Sequence, residues 1–202
     1  MNFEDILKKI ISDNFLLQDE DTPYLNEQTV QFKIAIELYK RLGIEVQLEK
    51  CFNPSDKKKD YLDIFYAEEK IGIELKYKLK AFDGFPFKNQ GAQDLGTYGF
   101  FIDIHRLENW VFDNKIKTGF AVFITNDSTY KEERSGRVHA FSLIAKNKII
   151  TGKEYTTYKG KNQEYPLIFK QNYKGFDWQS KEPKNLSCNF FVCIVRVERP
   201  IS

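Results

Sequence analysis

The sequence predicts an α/β fold, because helical and strand-like patterns alternate along most of the chain. Two segments with apolar residues at three- and four-residue spacing come first, as amphipathic helices require. Short strands, a long helical segment and a strongly apolar strand follow, which is typical of a sheet whose strands are separated by helices. A chain of 202 residues fits one domain with a substantial core. We therefore expect a single domain over residues 1–202.

The two predicted helices lie at the start of the chain. The first, Phe3–Leu17, has an apolar face formed by Phe3, Ile6, Leu7, Ile10 and Ile11. Asn26 is expected to cap the second helix, Glu27–Leu42, and Gly43 is expected to end it. Glu27 therefore lies in the first turn, where the helix dipole alone is enough to favour an acidic side chain.

Strand signals dominate the middle of the chain. A first strand is predicted at Ile44–Phe52, and a tight turn joins two more strands at Tyr61–Ala67 and Ile71–Leu79. The segment Gln90–Asn114 is expected to form a long helix or a broken pair, because two glycines weaken its early turns. The apolar segment Thr118–Asn126 is expected near the centre of the sheet.

The hairpin is predicted to gather three charged side chains in one small patch. Glu74 and Lys76 are two residues apart and therefore share one face of their strand. The other face carries Ile73, Leu75 and Tyr77. Pairing across the turn brings Asp63 beside Glu74. Two carboxylates and one ammonium on rigid strands suit Mg²⁺-assisted phosphodiester cleavage, whereas the plain alternative is a surface hairpin with an ion pair across it.

The C-terminal part differs from the rest of the chain in its amino-acid composition. Strands are predicted at Val138–Ala145 and Ser187–Glu198, and the second is expected to return to the sheet. From residue 146 onward lysines outnumber acidic residues, and aromatic residues lie among them: Tyr155, Tyr158, Tyr165, Tyr173, Phe176 and Trp178. Such a mixture can follow phosphates and stack bases, or it can be an irregular surface whose aromatic rings turn into the core. Both interpretations remain open from the sequence.

Composition excludes several classes of protein. The formal net charge of +2 gives no global field that would identify nucleic acid as the partner. No apolar run approaches the length of a membrane span, and the N-terminus lacks the basic start and cleavage site of a signal peptide. Three cysteines without a CxxC pair indicate reduced thiols, and two histidines make a Cys/His zinc site a poor fit. We expect a cytoplasmic protein that does not bind membranes.

The order of these elements resembles the PD-(D/E)xK nuclease superfamily. The matching residues are Asp63, ten intervening residues, and then Glu74-Leu-Lys76. Glu27 stands where many members carry an additional acid, and Gln93 stands where several carry a glutamine. Some members carry a tyrosine after this glutamine, and Tyr98 is a weaker match to it. The resemblance covers about residues 27–125. Within it, the segment YGFFIDIHRLE is similar to one in a bacterial branch of the superfamily. The chain departs from the motif in one place, because leucine and not proline precedes Asp63.

The resemblance implies a restriction endonuclease-like core, which is a mixed central sheet flanked by helices, at about residues 27–145. Residues 146–202 would then be a basic, aromatic-rich extension with further strands. It also implies Mg²⁺, with Mn²⁺ as a substitute, bound by Asp63, Glu74, the carbonyl of Leu75 and Glu27. In the implied active site, Lys76 orients the attacking water and Gln93 holds the site or contacts phosphate.

DNA, more than RNA, is the substrate that the resemblance implies. The lysines expected to contact it are Lys78, Lys80, Lys159 and Lys161. A homodimer is left open. The alternative function is a non-catalytic module of the same fold that binds nucleic acid or a protein, with the acidic cluster as a structural feature. A third interpretation is a chance match in an unrelated domain, and a structure that places Asp63 and Glu74 far apart would support it.

Overall fold

The computed structural model describes residues 2–14, 26–53, 60–81, 93–132, 149–150, 154–155, 167–174, 176–182 and 188–200. Its helices are α1 (Phe3–Asn14), α2 (Glu27–Leu42) and α3 (Gln93–Phe112), with a short 3-10 turn at Ser128–Lys131. Its strands are β1 (Gln47–Cys51), β2 (Tyr61–Tyr66), β3 (Ile71–Lys78), β4 (Thr118–Thr125), β5 (Ile149–Ile150), β6 (Glu154–Tyr155), β7 (Leu167–Ile168), β8 (Tyr173–Lys174), β9 (Trp178–Lys181) and β10 (Phe190–Glu198).

Six of the strands form one mixed sheet in the order β1-β2-β3-β4-β10-β9. Strands β3 and β4 run parallel, and α3 makes the crossover between them. All other neighbours in this sheet are antiparallel. Two further pairs, β5 with β8 and β6 with β7, form small separate ladders. The predicted α/β class is confirmed, and β4 lies at the centre of the sheet as expected.

Helices cover both faces of the sheet. The buried side chains of α1 and α2 form one apolar cluster with one face of β3 and β4. The buried side chains of α3 form a second cluster with the opposite face and with the segment 167–176. Burial on both faces explains why β4 is apolar between its terminal threonines, because neither side of a central strand meets water. Among the described residues, no helix combines the length and apolar character needed to cross a membrane.

Local sequence signals set the bounds of α2 as predicted. The side chain of Asn26 accepts a hydrogen bond from the Thr29 N–H at 2.8 Å, which satisfies one of the unpaired groups at the helix start. Gly43 ends the helix with φ of +68°, a left-handed conformation that glycine adopts without steric cost. Its N–H donates to the Tyr39 carbonyl at 2.8 Å.

The helix α3 continues unbroken through Gly96 and Gly99 in the described residues, so the broken-pair alternative is wrong there. A Cβ at Gly96 would lie 2.5 Å from the Tyr130 hydroxyl oxygen, so glycine permits a close packing contact that offsets its low helix propensity. The predicted first and last strands are shorter than expected, at β1 and β10. The strand predicted at Val138–Ala145 falls outside the described residues.

Candidate active site

The strand β3 presents its apolar and its charged side chains to opposite sides of the sheet. Ile73, Leu75 and Tyr77 are buried in the cluster with α1 and α2. Glu74 and Lys76 point to α3, where each forms an ion pair with a side chain of that helix. The predicted alternation is therefore confirmed, and Glu74 is only 1% exposed.

Asp63 lies where the pairing of β2 with β3 ends. The two strands pair over residues 64–66 and 71–73, and the same register continued by one residue places Asp63 opposite Glu74. Asp63 Oδ2 accepts a hydrogen bond from the Leu75 N–H at 2.6 Å. A carboxylate thus takes the place that a backbone carbonyl would have in a continuing antiparallel ladder. Asp63 and Glu74 are therefore not far apart, so the observation that would have supported a chance match is not found.

The other side of β2 is also irregular at Asp63. Glu49, its neighbour in β1, has φ of +51°, a left-handed conformation that costs a non-glycine residue roughly 1 kcal/mol. The carbonyl of Asp63 accepts a hydrogen bond from Gln31 Nε2 at 2.5 Å, and the same nitrogen donates to Glu49 Oε1 at 3.0 Å. The buried Gln31 of α2 therefore fixes the backbone from which the Asp63 carboxylate projects.

Glu27 reaches the same strand from α2. Its Oε2 accepts a hydrogen bond from the Tyr77 N–H at 2.7 Å. Alternate residues of a strand direct their N–H groups to the same side, so the donors of Leu75 and Tyr77 face the same neighbour. Asp63 satisfies the first donor and Glu27 the second. Because Asn26 caps α2, it also fixes the position of Glu27 beside the sheet.

Two charged residues of α3 complete the cluster. The ammonium of Lys76 forms an ion pair with Asp103 Oδ2 at 3.2 Å. The Arg106 Nη2 donates to Asp103 Oδ1 at 3.1 Å and to Glu74 Oε2 at 2.5 Å. Asp103 is 3% exposed, whereas the side chains of Lys76 and Arg106 are partly exposed, so the cluster extends from the interior towards the surface.

Sequence reasoning missed both Asp103 and Arg106. They are three residues apart, the spacing at which side chains of a helix become neighbours. They also interrupt the apolar stripe of α3, and charges are rarely buried in a helix unless they are paired. This interruption was the available signal, because a charged pair inside an apolar helix face implies charged partners on the element opposite.

Burial dominates the protonation of the acidic residues. It raises the pKa of Asp63 to about 7, against the lowering effect of the hydrogen bond from Leu75. Burial also raises the pKa of Glu27, and it holds that of Glu74 well above the usual range despite the nearby Arg106. The cluster therefore favours the binding of protons or of a cation.

The basic residues of the cluster keep their charge. Burial opposes the charge on Lys76, but the carboxylates of Asp103 and Glu27 outweigh it and raise the pKa of the ammonium. Burial likewise opposes the charge on Arg106, and Glu74 and Asp103 outweigh it and raise its pKa. Both side chains are therefore cations at neutral pH.

The donor chemistry of the cluster fits a hard divalent cation. Four carboxyl groups face only two basic side chains, and the buried Glu74 Oε1 has no hydrogen-bond partner in the described part of the chain. Carboxylate oxygens are the ligands that Mg²⁺ prefers. No group of three or more His, Cys, Asp or Glu side chains among the described residues is already arranged to hold a metal ion. The cluster thus supplies suitable ligands in an arrangement that a cation would have to draw together.

The other predicted site residues of the core are less defined. Gln93 begins the described part of α3, and its side chain falls outside the description. The side chain of Leu75 points to α1 and α2, and its N–H is held by Asp63. Because the N–H and C=O of a strand residue point to the same side, the Leu75 carbonyl also faces β2. The weakly matched Tyr98 is buried in the cluster with α3.

The lysines predicted to contact nucleic acid fall into two groups. Lys78 is half-buried at the end of β3, and Lys80 is exposed just beyond it. The backbone of Lys80 is held in place by Asn126, which accepts from its N–H at 2.6 Å and donates to its carbonyl at 2.9 Å. Lys159 and Lys161 lie outside the described residues.

Several C-terminal aromatic residues belong to the core. Tyr173 and Phe176 are buried with α3, and Trp178 packs partly buried against the same cluster. Glu108 of α3 anchors this segment, since its carboxylate accepts hydrogen bonds from the backbone N–H groups of residues 170 and 171 and from the Tyr173 hydroxyl. The base-stacking interpretation is wrong for Tyr173 and Phe176, and the core interpretation is confirmed for them.

Comparisons of the chain with protein-family models, with curated proteins and with solved structures find no match. The function must therefore be argued from the residues of the cluster and their chemistry.

Proposed function

We propose that the protein is a metal-dependent nuclease of the PD-(D/E)xK type that hydrolyses phosphodiester bonds with Mg²⁺. One observation carries the proposal. Asp63, Glu74 and Lys76 converge with Glu27 where β2 and β3 separate, and the acids outnumber the bases. The hairpin, the α3 crossover and the parallel β4 support a restriction endonuclease-like core as part of the same proposal.

In this proposal the metal is held by the carboxylates of Asp63 and Glu74, with the Leu75 carbonyl as a further ligand. Glu27 acts as a second acidic ligand or positions a water. A bound Mg²⁺, or Mn²⁺ in its place, supplies neutralisation of charge on the phosphate oxygens and lowers the pKa of a bound water. The orphaned Glu74 Oε1 supports this assignment, because a buried carboxylate oxygen without a partner is costly unless it acquires one.

Lys76 acts as a cation and not as a proton acceptor in this mechanism. Its ammonium is held beside Asp103, and its raised pKa keeps it protonated at neutral pH. A protonated amine can orient an attacking water by donating a hydrogen bond to the water oxygen, or it can stabilise a phosphate oxygen that gains negative charge. The end of the Lys76 side chain lies beside Gly99, where a Cβ would be 3.6 Å from the Lys76 Cε atom. Because the ion pair with Asp103 holds the ammonium in place, Asp103 is a positioning residue for Lys76.

DNA is the proposed substrate ahead of RNA, by analogy with the superfamily. Lys78 and the exposed Lys80 follow the site along β3 and could reach neighbouring phosphates, and Lys159 and Lys161 extend the proposal to the basic C-terminal region. Gln93 is proposed to contact phosphate from the start of α3. A cytoplasmic location and a homodimer are further parts of the proposal.

A non-catalytic module of the same fold is the second candidate, and a specific observation favours it. Asp63 and Glu27 each already accept a hydrogen bond from a backbone N–H of β3, and Glu74 is paired with Arg106. Acids that serve only to end a ladder and balance an arginine would need no metal. In that case, nucleic acid or protein would bind elsewhere on the surface.

The two candidates separate in a cleavage assay. Plasmid, linear double-stranded DNA, single-stranded DNA and RNA are each incubated with the full chain and Mg²⁺, Mn²⁺ or EDTA. We expect cleavage by the wild type with either metal, none with EDTA, and strongly reduced cleavage by Glu74→Gln. Glu69→Gln is the matched control, because Glu69 lies exposed in the turn before β3. Absence of cleavage by the wild type across the whole panel would favour the non-catalytic module.

A further inference from the structure

The pair formed by Glu74 and Arg106 joins a buried carboxylate to a partly buried guanidinium. Arg106 Nη2 lies 2.5 Å from Glu74 Oε2, and Glu74 has no other hydrogen-bond partner among the described residues. A guanidinium at this distance neutralises the carboxylate that the proposed function assigns to a metal. Charge-assisted pairs of this kind are strong in a dry interior, so a cation must compete with the arginine for Glu74.

Arg106 has alternative interaction partners within its own helix. Asp103, one turn earlier, already accepts from the same Nη2 at 3.1 Å. The guanidinium carbon lies 5.7 Å from the ring centre of Trp110, one turn later, within the range of a cation–π contact. The Arg106 Nε is buried without a hydrogen-bond partner in the described part, so the present position does not satisfy the guanidinium fully. Release from Glu74 would leave the charge paired with Asp103.

We infer that Arg106 is the resident counter-ion of Glu74, and that a divalent cation binds only when this guanidinium leaves Glu74 and stays with Asp103. This inference rests on the proposed function, because it concerns the same site. Arg106 is thereby a positioning residue that sets how readily the site takes up metal. The apparent affinity for the cation is reduced by the fraction of molecules in which Arg106 occupies the carboxylate.

Cation affinity is the first test. Mn²⁺ binding to the full chain is measured by calorimetry for the wild type and for Arg106→Gln. We expect binding about 10-fold tighter or more in the variant, since the occupied state no longer competes. Lys78→Gln is the matched control: Lys78 acts electrostatically on the same cluster but has no contact with Glu74, so its removal measures the effect of charge alone. We expect the smaller increase for this control.

Tryptophan emission is the second test, and its main measurement uses a chain that keeps Arg106. The chain has two tryptophans, so Trp178→Phe leaves Trp110 as the only reporter. We expect Mg²⁺ to change the Trp110 emission in this background, because the guanidinium near the ring moves, and the midpoint should match that of Mg²⁺ binding measured by calorimetry on the same chain. The change should be absent when Arg106→Gln is added to this background.

The outcomes separate the inference from the proposed function. If the wild type and Arg106→Gln bind the cation equally well and Trp110 emission stays constant, the inference is overturned while the metal site stands. An equal gain for Lys78→Gln and Arg106→Gln with constant emission also overturns it, since charge alone then explains the effect. If neither the wild type nor any variant binds a cation, both the inference and the proposed function fail. Binding by Arg106→Gln alone would support the inference and contradict the proposed function, which requires the wild type to bind the metal.

Discussion

Asp63→Asn removes a titrating group from the cluster while leaving its shape nearly unchanged. The amide oxygen of asparagine can still accept the hydrogen bond that Leu75 donates to Asp63, so the end of the β2–β3 ladder is preserved. The substitution removes a carboxyl group whose pKa burial raises from its usual 3.8 to about 7. Its effect on stability should therefore depend on pH in a defined direction.

The sign follows from the protons bound in each state. At pH values between about 4 and 7, folded Asp63 holds a proton that the unfolded chain has lost. The free energy of unfolding therefore falls as the pH rises through this window, and the favourable contribution is complete only below the unfolded pKa. A difference of about three pKa units corresponds to roughly 4 kcal/mol as an upper limit for this residue.

Urea unfolding across this pH window tests the reasoning. The wild type should lose stability with rising pH more steeply than Asp63→Asn, by up to about 1.4 kcal/mol per pH unit. Asp113→Asn is the control, because Asp113 is exposed and lies outside the cluster, and it should keep the wild-type slope. At the upper end of this pH window, Mg²⁺ at about 100 times its dissociation constant should raise the free energy of unfolding of the wild type by roughly 2.7 kcal/mol. Equal slopes for the wild type and Asp63→Asn would refute the assignment of burial as the cause.

Three further predictions concern catalysis, binding and folding. Lys76→Ala should lower single-turnover cleavage by about 10²–10³ with little change in DNA binding, and excess Mn²⁺ should partly rescue Glu74→Ala but not Lys76→Ala. Replacing Lys159 and Lys161 by Ala should weaken DNA binding and lower the log–log salt slope by about two in filter-binding titrations. Glu108→Gln should cost roughly 1.5–3 kcal/mol in urea unfolding, because this buried carboxylate accepts three hydrogen bonds from the 170–173 segment.

Each of these predictions has an outcome that contradicts it. Full cleavage by Lys76→Ala in a wild type that cuts DNA would move the chemistry away from β3. An unchanged salt slope would mean that residues 159 and 161 do not contact the phosphate backbone. Stability of Glu108→Gln equal to that of the wild type would show that the charge of Glu108 contributes little at this position.

Local chemistry made the framework of the fold predictable. The cap at Asn26 and the left-handed Gly43 bound α2 as expected, because both depend on the side chain and backbone of the residue itself. The strict two-residue alternation in β3 likewise determined that Glu74 and Lys76 share a face. These features need no knowledge of what packs on the other side.

The missed features all depend on contacts between distant segments. Asp103 and Arg106 gain their meaning only when α3 crosses the face of β3. The left-handed Glu49 is stabilised by Gln31, which lies on α2, and no propensity at position 49 indicates it. The interpretation of the aromatic residues beyond position 146 stayed open for the same reason, since the anchor of that segment is Glu108 of α3.

The two candidate functions differ in what they require of the same hydrogen bonds. Asp63 and Glu27 each spend one oxygen on a backbone donor of β3, and a carboxylate has a second oxygen with further lone pairs. A purely structural acid gains nothing from burial beyond that bond, and burial raises its pKa and destabilises its charge. Two neutral amides would satisfy both donors without that cost. The presence of carboxyl groups at both positions is therefore better explained by a use for their charge, and cation binding is the use that their raised pKa values and the unpaired Glu74 oxygen favour.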